Sequence, residues 1–148
     1  MKVPTMQEFW KKLKCLLSLS RSAINDRLGQ LGLTSAAGDI IFHLSGEESG
    51  LPQETLCQRL SIGKAAISRT VDALEQKGLA QRARHPGDAR SFLVSLTKEG
   101  WGISAQVRAA YDSVFRDISR GIRKEDLANV SLLLDRILRN MAGEKTGQ

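Results

Sequence analysis

The stretch from Leu56 to Gly100 leaves this chain little choice of fold, because it reads in order as helix, turn, helix and basic hairpin. Leu56 and Leu60 stand one helical turn apart, and Ser61-Ile62-Gly63 breaks that first segment. In the second segment Ile67, Val71 and Leu74 recur at i, i+4 and i+7, the spacing of one buried helix face. Gly78 stops it. Two short alternating segments follow around Arg84-His85-Pro86-Gly87-Asp88. That order predicts a helix-turn-helix with a β-wing. Such a module supplies what a duplex demands, a helix narrow enough for the major groove and cations for the phosphates, so double-stranded DNA is the expected partner.

The charge sits where this reading needs it. Residues 61–90 carry Lys64, Arg69, Lys77, Arg82, Arg84 and Arg90 against Asp72, Glu75 and Asp88, a net +3 of the chain's +6 in about a fifth of its length. A basic patch of this kind is the electrostatic footprint of a duplex binder. The 148 residues suit one domain with its own core, and 41% apolar with 26% charged residues excludes wholesale disorder.

Other classes find less support. No apolar run approaches the ~20 residues that cross a bilayer, so no membrane partner is expected. The N-terminus, MKVPTMQEFWKKLK, lacks the apolar core of a secretory signal. Two cysteines, Cys15 and Cys57, are too few for a disulfide scaffold or a four-ligand zinc site, and a reducing, cytoplasmic location follows. His43 and His85 fall on different elements, no Gly-rich phosphate loop follows a strand, and Glu47-Glu48 lies in a polar loop. The chain is therefore expected to be no enzyme and to need no metal or cofactor.

The remaining sequence is mostly α. Thr5-Met6-Gln7-Glu8 fits a capping box, and Phe9, Leu13, Leu16, Leu17, Ile24, Leu28 and Leu31 trace an apolar stripe on a long first helix ending near Gln30. Thr34 caps a second helix holding Ile40, Ile41, Phe42 and Leu44. A loop from Glu47 to Leu51 leads to Pro52, placed in the first turn of the next helix. After the wing, Thr97 caps a helix with Val107, Ala110, Val114 and Ile118 in register, and Gly121 ends it. A last helix from about Lys124 to Met141 sets Leu127, Val130, Leu134, Ile137 and Met141 on one face, with Gly143 and a few frayed residues beyond. The terminal helices carry more apolar surface than a reading head needs. Packing across a two-fold axis accounts for it, with Phe9, Leu13, Leu16, Leu127, Val130, Leu134, Ile137 and Met141 as the dimerisation residues. One domain is expected over 1–148, with dimerisation helices at about 5–32 and 101–142 and the winged helix-turn-helix at about 34–100.

With Ile67, Val71 and Leu74 inward, the outward side of the recognition helix offers Lys64, Ala65, Ser68, Arg69 and Asp72. Arg69 can fork onto a guanine or clamp a phosphate. Arg82 and Arg84 are expected on phosphates, and His85 in the minor groove. Asp88 would orient Arg90 or Arg69 by a charge-assisted hydrogen bond, with plain turn formation beside Gly87 as the alternative.

Asp88-Ala89-Arg90, five residues, Leu96-Thr97, two residues and Gly100 spell D-x-R-x5-L-T-x2-G. This resembles the wing signature of the MarR family of winged-helix regulators, and SIGKAAISRTVDALEQKGLAQR resembles that family's recognition helix. Leu33-Thr34 fits as well. The chain departs from the family pattern at Gly63, where a capping side chain is frequent, and at Ala66, where a hydroxyl is common. Ala66 can instead touch a thymine methyl. The resemblance implies a homodimeric repressor on a pseudo-palindromic operator, with Arg90 reaching from the wing to the minor groove. It also implies a small-molecule effector between the dimer helices and the winged module, for which Trp10, Phe42 and His43 are candidates.

Beside a sequence-indifferent architectural DNA binder, two alternatives stay open. Cys15, near Lys11, Lys12 and Lys14, could make the chain a thiol-based redox sensor, although the tyrosines such sensors use are reduced here to Tyr111. A winged helix can also serve as a protein-interaction module.

Overall fold

The structure, a computed structural model, describes residues 1–143, the side chain of Ala89 excepted. The expected fraying of the last few residues lies outside that range. Six helices and a small antiparallel sheet follow in the order α1 (Met6–Gln30), α2 (Ser35–Leu44), β1 (Leu51–Pro52), α3 (Gln53–Leu60), α4 (Lys64–Gln76), β2 (Ala80–His85), β3 (Asp88–Leu96), α5 (Lys98–Ser119) and α6 (Lys124–Met141). The expected mostly α, winged helix-turn-helix architecture is what the chain adopts.

The helix starts obey the capping chemistry read from the sequence. The Thr5 hydroxyl accepts the Glu8 amide at 3.2 Å, while the Glu8 carboxylate accepts the Thr5 amide at 2.8 Å. Thr34 accepts the Ala37 amide at 3.2 Å and opens α2. Ser61, in the left-handed region at φ +52°, turns the chain from α3 into α4.

One element was unforeseen. Leu51 and Pro52, expected as loop end and first helical turn, form β1, pairing with Val94 and Leu93 on the outer edge of β3. The sheet order is β1-β3-β2. Extended pairing holds Pro52 outside α3 as its N-cap, and a proline is tolerated because an edge strand need not donate every N–H.

The described residues fall into two bodies, Met1–Phe115 and residues 116–143. In the first body the core gathers Ile24 and Leu28 of α1, Ile40, Ile41 and Leu44 of α2, Leu56 of α3, Ile67, Val71 and Leu74 of α4, Val94 of β3, and Val107 and Val114 of α5. The inner face of α4 therefore supports the outer face that the sequence assigns to reading. In the second body α6 buries none of its own residues, and Leu127, Val130 and Met141 are exposed.

Candidate nucleic-acid interface

Helix α4 presents the expected residues, divided between its two flanks. Lys64, Ala65 and Arg69 are exposed; Ala66 and Ser68 are half-buried. Lys64, Ala65 and Ser68 face a cleft of about 930 Å³, whose other walls are α3, through Gln53 and Cys57, and the wing, through Asp88, Arg90 and Phe92. Ala66 and Arg69 lie on the opposite flank, where with Thr34 and Lys77 they line a groove of about 300 Å³. Gly63 caps α4 without a side-chain bond, as its lack of a side chain requires.

The wing is a hairpin whose tip makes its own bonds. Residues Arg84 and Phe92 pair across it, and a bulge lies between Arg84 and His85. His85 Nδ1 accepts the Gly87 amide at 3.0 Å. Asp88 Oδ1 accepts the backbone amide of Arg90 at 2.9 Å. The expected carboxylate–guanidinium pairing by Asp88 gives way to turn formation, because its short side chain reaches the amide two residues on. Arg90 is exposed, and Arg84 holds its guanidinium carbon 5.9 Å from the centre of the Phe92 ring.

Arg82 departs most from expectation. Its side chain is only 14% exposed and bonds inward, to Asp72 and Glu75 of α4, to Ser68 and to Gln53 of α3. The expected phosphate contact is not what this placement offers, since the donors a phosphate would need are already occupied. Asp72, expected on the outward face, is where the sequence placed it and takes this arginine. The sequence held one signal, two carboxylates a turn apart on the outward face of a helix in a basic tract, which call for a cation from within the chain.

A polar cluster that the sequence reading missed joins three helices. Asp39 of α2 is buried, and its Oδ1 accepts both Arg21 Nη1 of α1 at 2.9 Å and the Tyr111 hydroxyl of α5. Burial and the Asp39 bond push the Tyr111 hydroxyl pKa well above its ordinary value. The Phe42 ring stacks on Tyr111 at 4.2 Å, His43 meets Phe42 edge-on at 5.9 Å, and Arg108 lies 5.3 Å over Phe42. Desolvation by burial, helped by the charge of Arg59, lowers the His43 pKa below 6.5. Two of the three effector candidates thus adjoin, whereas Trp10, 59% exposed on α1, takes part in none of these ring contacts. A lone acid within the apolar run Ala36-Ala37-Gly38-Asp39-Ile40-Ile41 was the available signal.

Cys15 is exposed and Cys57 half-buried. Among the described residues no three His, Cys, Asp or Glu side chains group to hold a metal, and no helix is long and apolar enough to cross a membrane.

A sequence model of the MarR family matches residues 31–91. Among solved structures, the transcriptional regulator PA3341 is 28% identical, with a TM-score of 0.83 over 92% of this chain and 99% of its own. AbsC, a MarR family transcriptional regulator from Streptomyces coelicolor, is 21% identical, with a TM-score of 0.82 over 97% of this chain and 100% of its own. A mutant MarR from E. coli complexed with operator DNA is 22% identical, with a TM-score of 0.73 over 86% of this chain and 91% of its own.

Proposed function

We propose, from the premise that this chain belongs to the MarR family of winged-helix regulators, that it reads a two-fold-symmetric operator as a homodimer and represses transcription there. The observation that carries the reading is the placement of Lys64 and Ala65 on α4 and Arg90 on the wing around one cleft. An exposed helix N-terminus enters a major groove, and a guanidinium beside it reaches the flanking minor groove, where A·T-rich DNA is narrow. Ala65, Ala66 and Arg69 then meet base edges or the adjoining backbone, while Lys64, Arg84 and His85 add contacts along the duplex. Asp88 contributes by shaping the tip. Arg82 is withdrawn from this set.

Dimerisation through α6 and the N-terminal half of α1 gives exposed Leu127, Val130, Met141 and Leu16 a partner. It sets two reading heads about one helical turn (~10 bp) apart. An effector would act near Phe42 and His43, and its leverage equals its differential affinity for the two head spacings.

The test is selection from a randomised duplex pool in excess non-specific competitor, with wild type beside Arg90→Ala. A two-fold-symmetric motif with affinity lost in the variant is expected. If no motif emerges and the two proteins behave alike, the operator reading fails and a protein partner is indicated instead.

A further inference from the structure

Arginine carries five N–H donors in a rigid plane, and Arg82 spends all five inside the chain. Nε donates to Gln53 Oε1 at 3.0 Å. Nη1 serves Asp72 Oδ1 and Glu75 Oε1, the latter at 2.7 Å. Nη2 serves the Ser68 carbonyl at 2.8 Å and the Ser68 hydroxyl at 3.2 Å. The Arg82 backbone amide adds a bond to Glu75 Oε2 at 3.3 Å. Phe92, on the neighbouring strand β3, lies 5.8 Å from the guanidinium carbon. The partners sit on α3, α4 and the hairpin, so one planar group ties together the three elements that wall the cleft.

We propose that Arg82 is a positioning residue for DNA reading: it fixes the angle between α4 and the wing, so that helix and wing engage the duplex as one rigid unit. The inference rests on the operator reading above and deepens it. Two consequences follow from the geometry. A guanidinium fork matches two acceptors in a fixed plane, and a lysine ammonium on a flexible stem does not reproduce it. The same fork also offsets one of the two negative charges of Asp72 and Glu75, whose carboxylates oppose approaching phosphates. Ser68, expected to touch DNA, has its hydroxyl turned to this arginine and joins the framework.

The experiment compares wild type, Arg82→Met, Arg82→Lys and Glu75→Gln on the selected operator. It reads the slope of log affinity against log salt, the melting temperature, and a cycle combining one core-base change with one flanking A·T to G·C change. In wild type the two DNA changes are expected to be non-additive by about tenfold, because helix and wing move together. In Arg82→Met the salt slope should match wild type while the two changes become additive. Lysine should not restore the coupling, and Glu75→Gln, which keeps the folded framework, should weaken it. A slope reduced by about 0.9 in Arg82→Met, with coupling intact, would identify a phosphate contact and overturn the proposal. Coupling that survives in both Arg82→Met and Glu75→Gln also overturns it, and so does a loss that tracks melting temperature alone. A wild type that selects no motif overturns the operator reading itself, a result separable from any behaviour of Arg82.

Discussion

The Tyr111 hydroxyl on α5 donates to the same Asp39 oxygen that takes Arg21 of α1, so a single buried carboxylate of α2 joins helices on both sides of it. The Asp39 side chain is only 11% exposed, and little water can replace a lost donor. Tyr111→Phe should therefore cost ~1–3 kcal/mol. In a chain of this length that lowers the melting temperature by roughly 2–4 °C for each kcal/mol. Thermal unfolding checks it, and Tyr111→Phe with Asp39→Asn should lose less than the two single losses added, since both remove one interaction. An unchanged melting temperature would show the cluster to be inert.

His43 titrates below its ordinary value of 6.5 because burial disfavours the charged ring, with the charge of Arg59 adding to the effect and Asp39 opposing it. The folded state thus prefers the neutral form. Its contribution to stability is present above pH 6.5 and is lost as pH falls through the lowered folded value. Melting temperatures taken from pH 7.5 downward should fall more steeply for wild type than for His43→Gln. Parallel curves would remove His43 as the cause.

The signature Leu96-Thr97-x2-Gly100 has a mechanical explanation. Thr97 donates its hydroxyl to the Gly78 carbonyl at 2.6 Å and accepts the Gly100 amide at 3.0 Å, which seats the first turn of α5 against the end of α4. A Cβ on Gly100 would overlap the Leu79 carbonyl oxygen, a backbone atom already bonded to the Thr97 amide. Gly100→Ala should destabilise by about 2 kcal/mol or more, since backbone has to shift. Gly102→Ala, with open space at its Cβ, is the control and should be neutral or slightly stabilising.

Helix α6 carries Leu127 at 60% exposed and Val130 at 48%, on the stripe that continues to Leu134, Ile137 and Met141. Leu127→Glu with Val130→Glu should yield a monomer by sedimentation equilibrium and weaken binding to a two-fold site far more than to a half-site. A dimer that persists would place the interface elsewhere.

The sequence foretold most elements because their signals are local. The Thr5–Glu8 box, Thr34, Gly121 and the Ile67-Val71-Leu74 face each act within one or two helical turns. What escaped is non-local. Leu51 and Pro52 become a strand only because Val94 and Leu93, more than forty residues away, offer an edge. Arg82 reads as one more cation in a basic tract, and only the return of the hairpin over α4 brings it to Asp72 and Glu75. Arg21, Asp39 and Tyr111 lie on three helices, and no spacing rule joins them.

The division of labour on α4 bears on how such a chain can change over time. Lys64, Ala65 and Arg69 stand exposed, whereas Ile67, Val71, Leu74 and the Arg82 fork hold the shape. Substitutions at exposed positions of this kind usually alter stability by no more than about 0.5 kcal/mol. On the operator reading proposed above, new base preferences would be explored at those three positions with little threat to folding, and drift in operator sequence would be followed without rebuilding the scaffold.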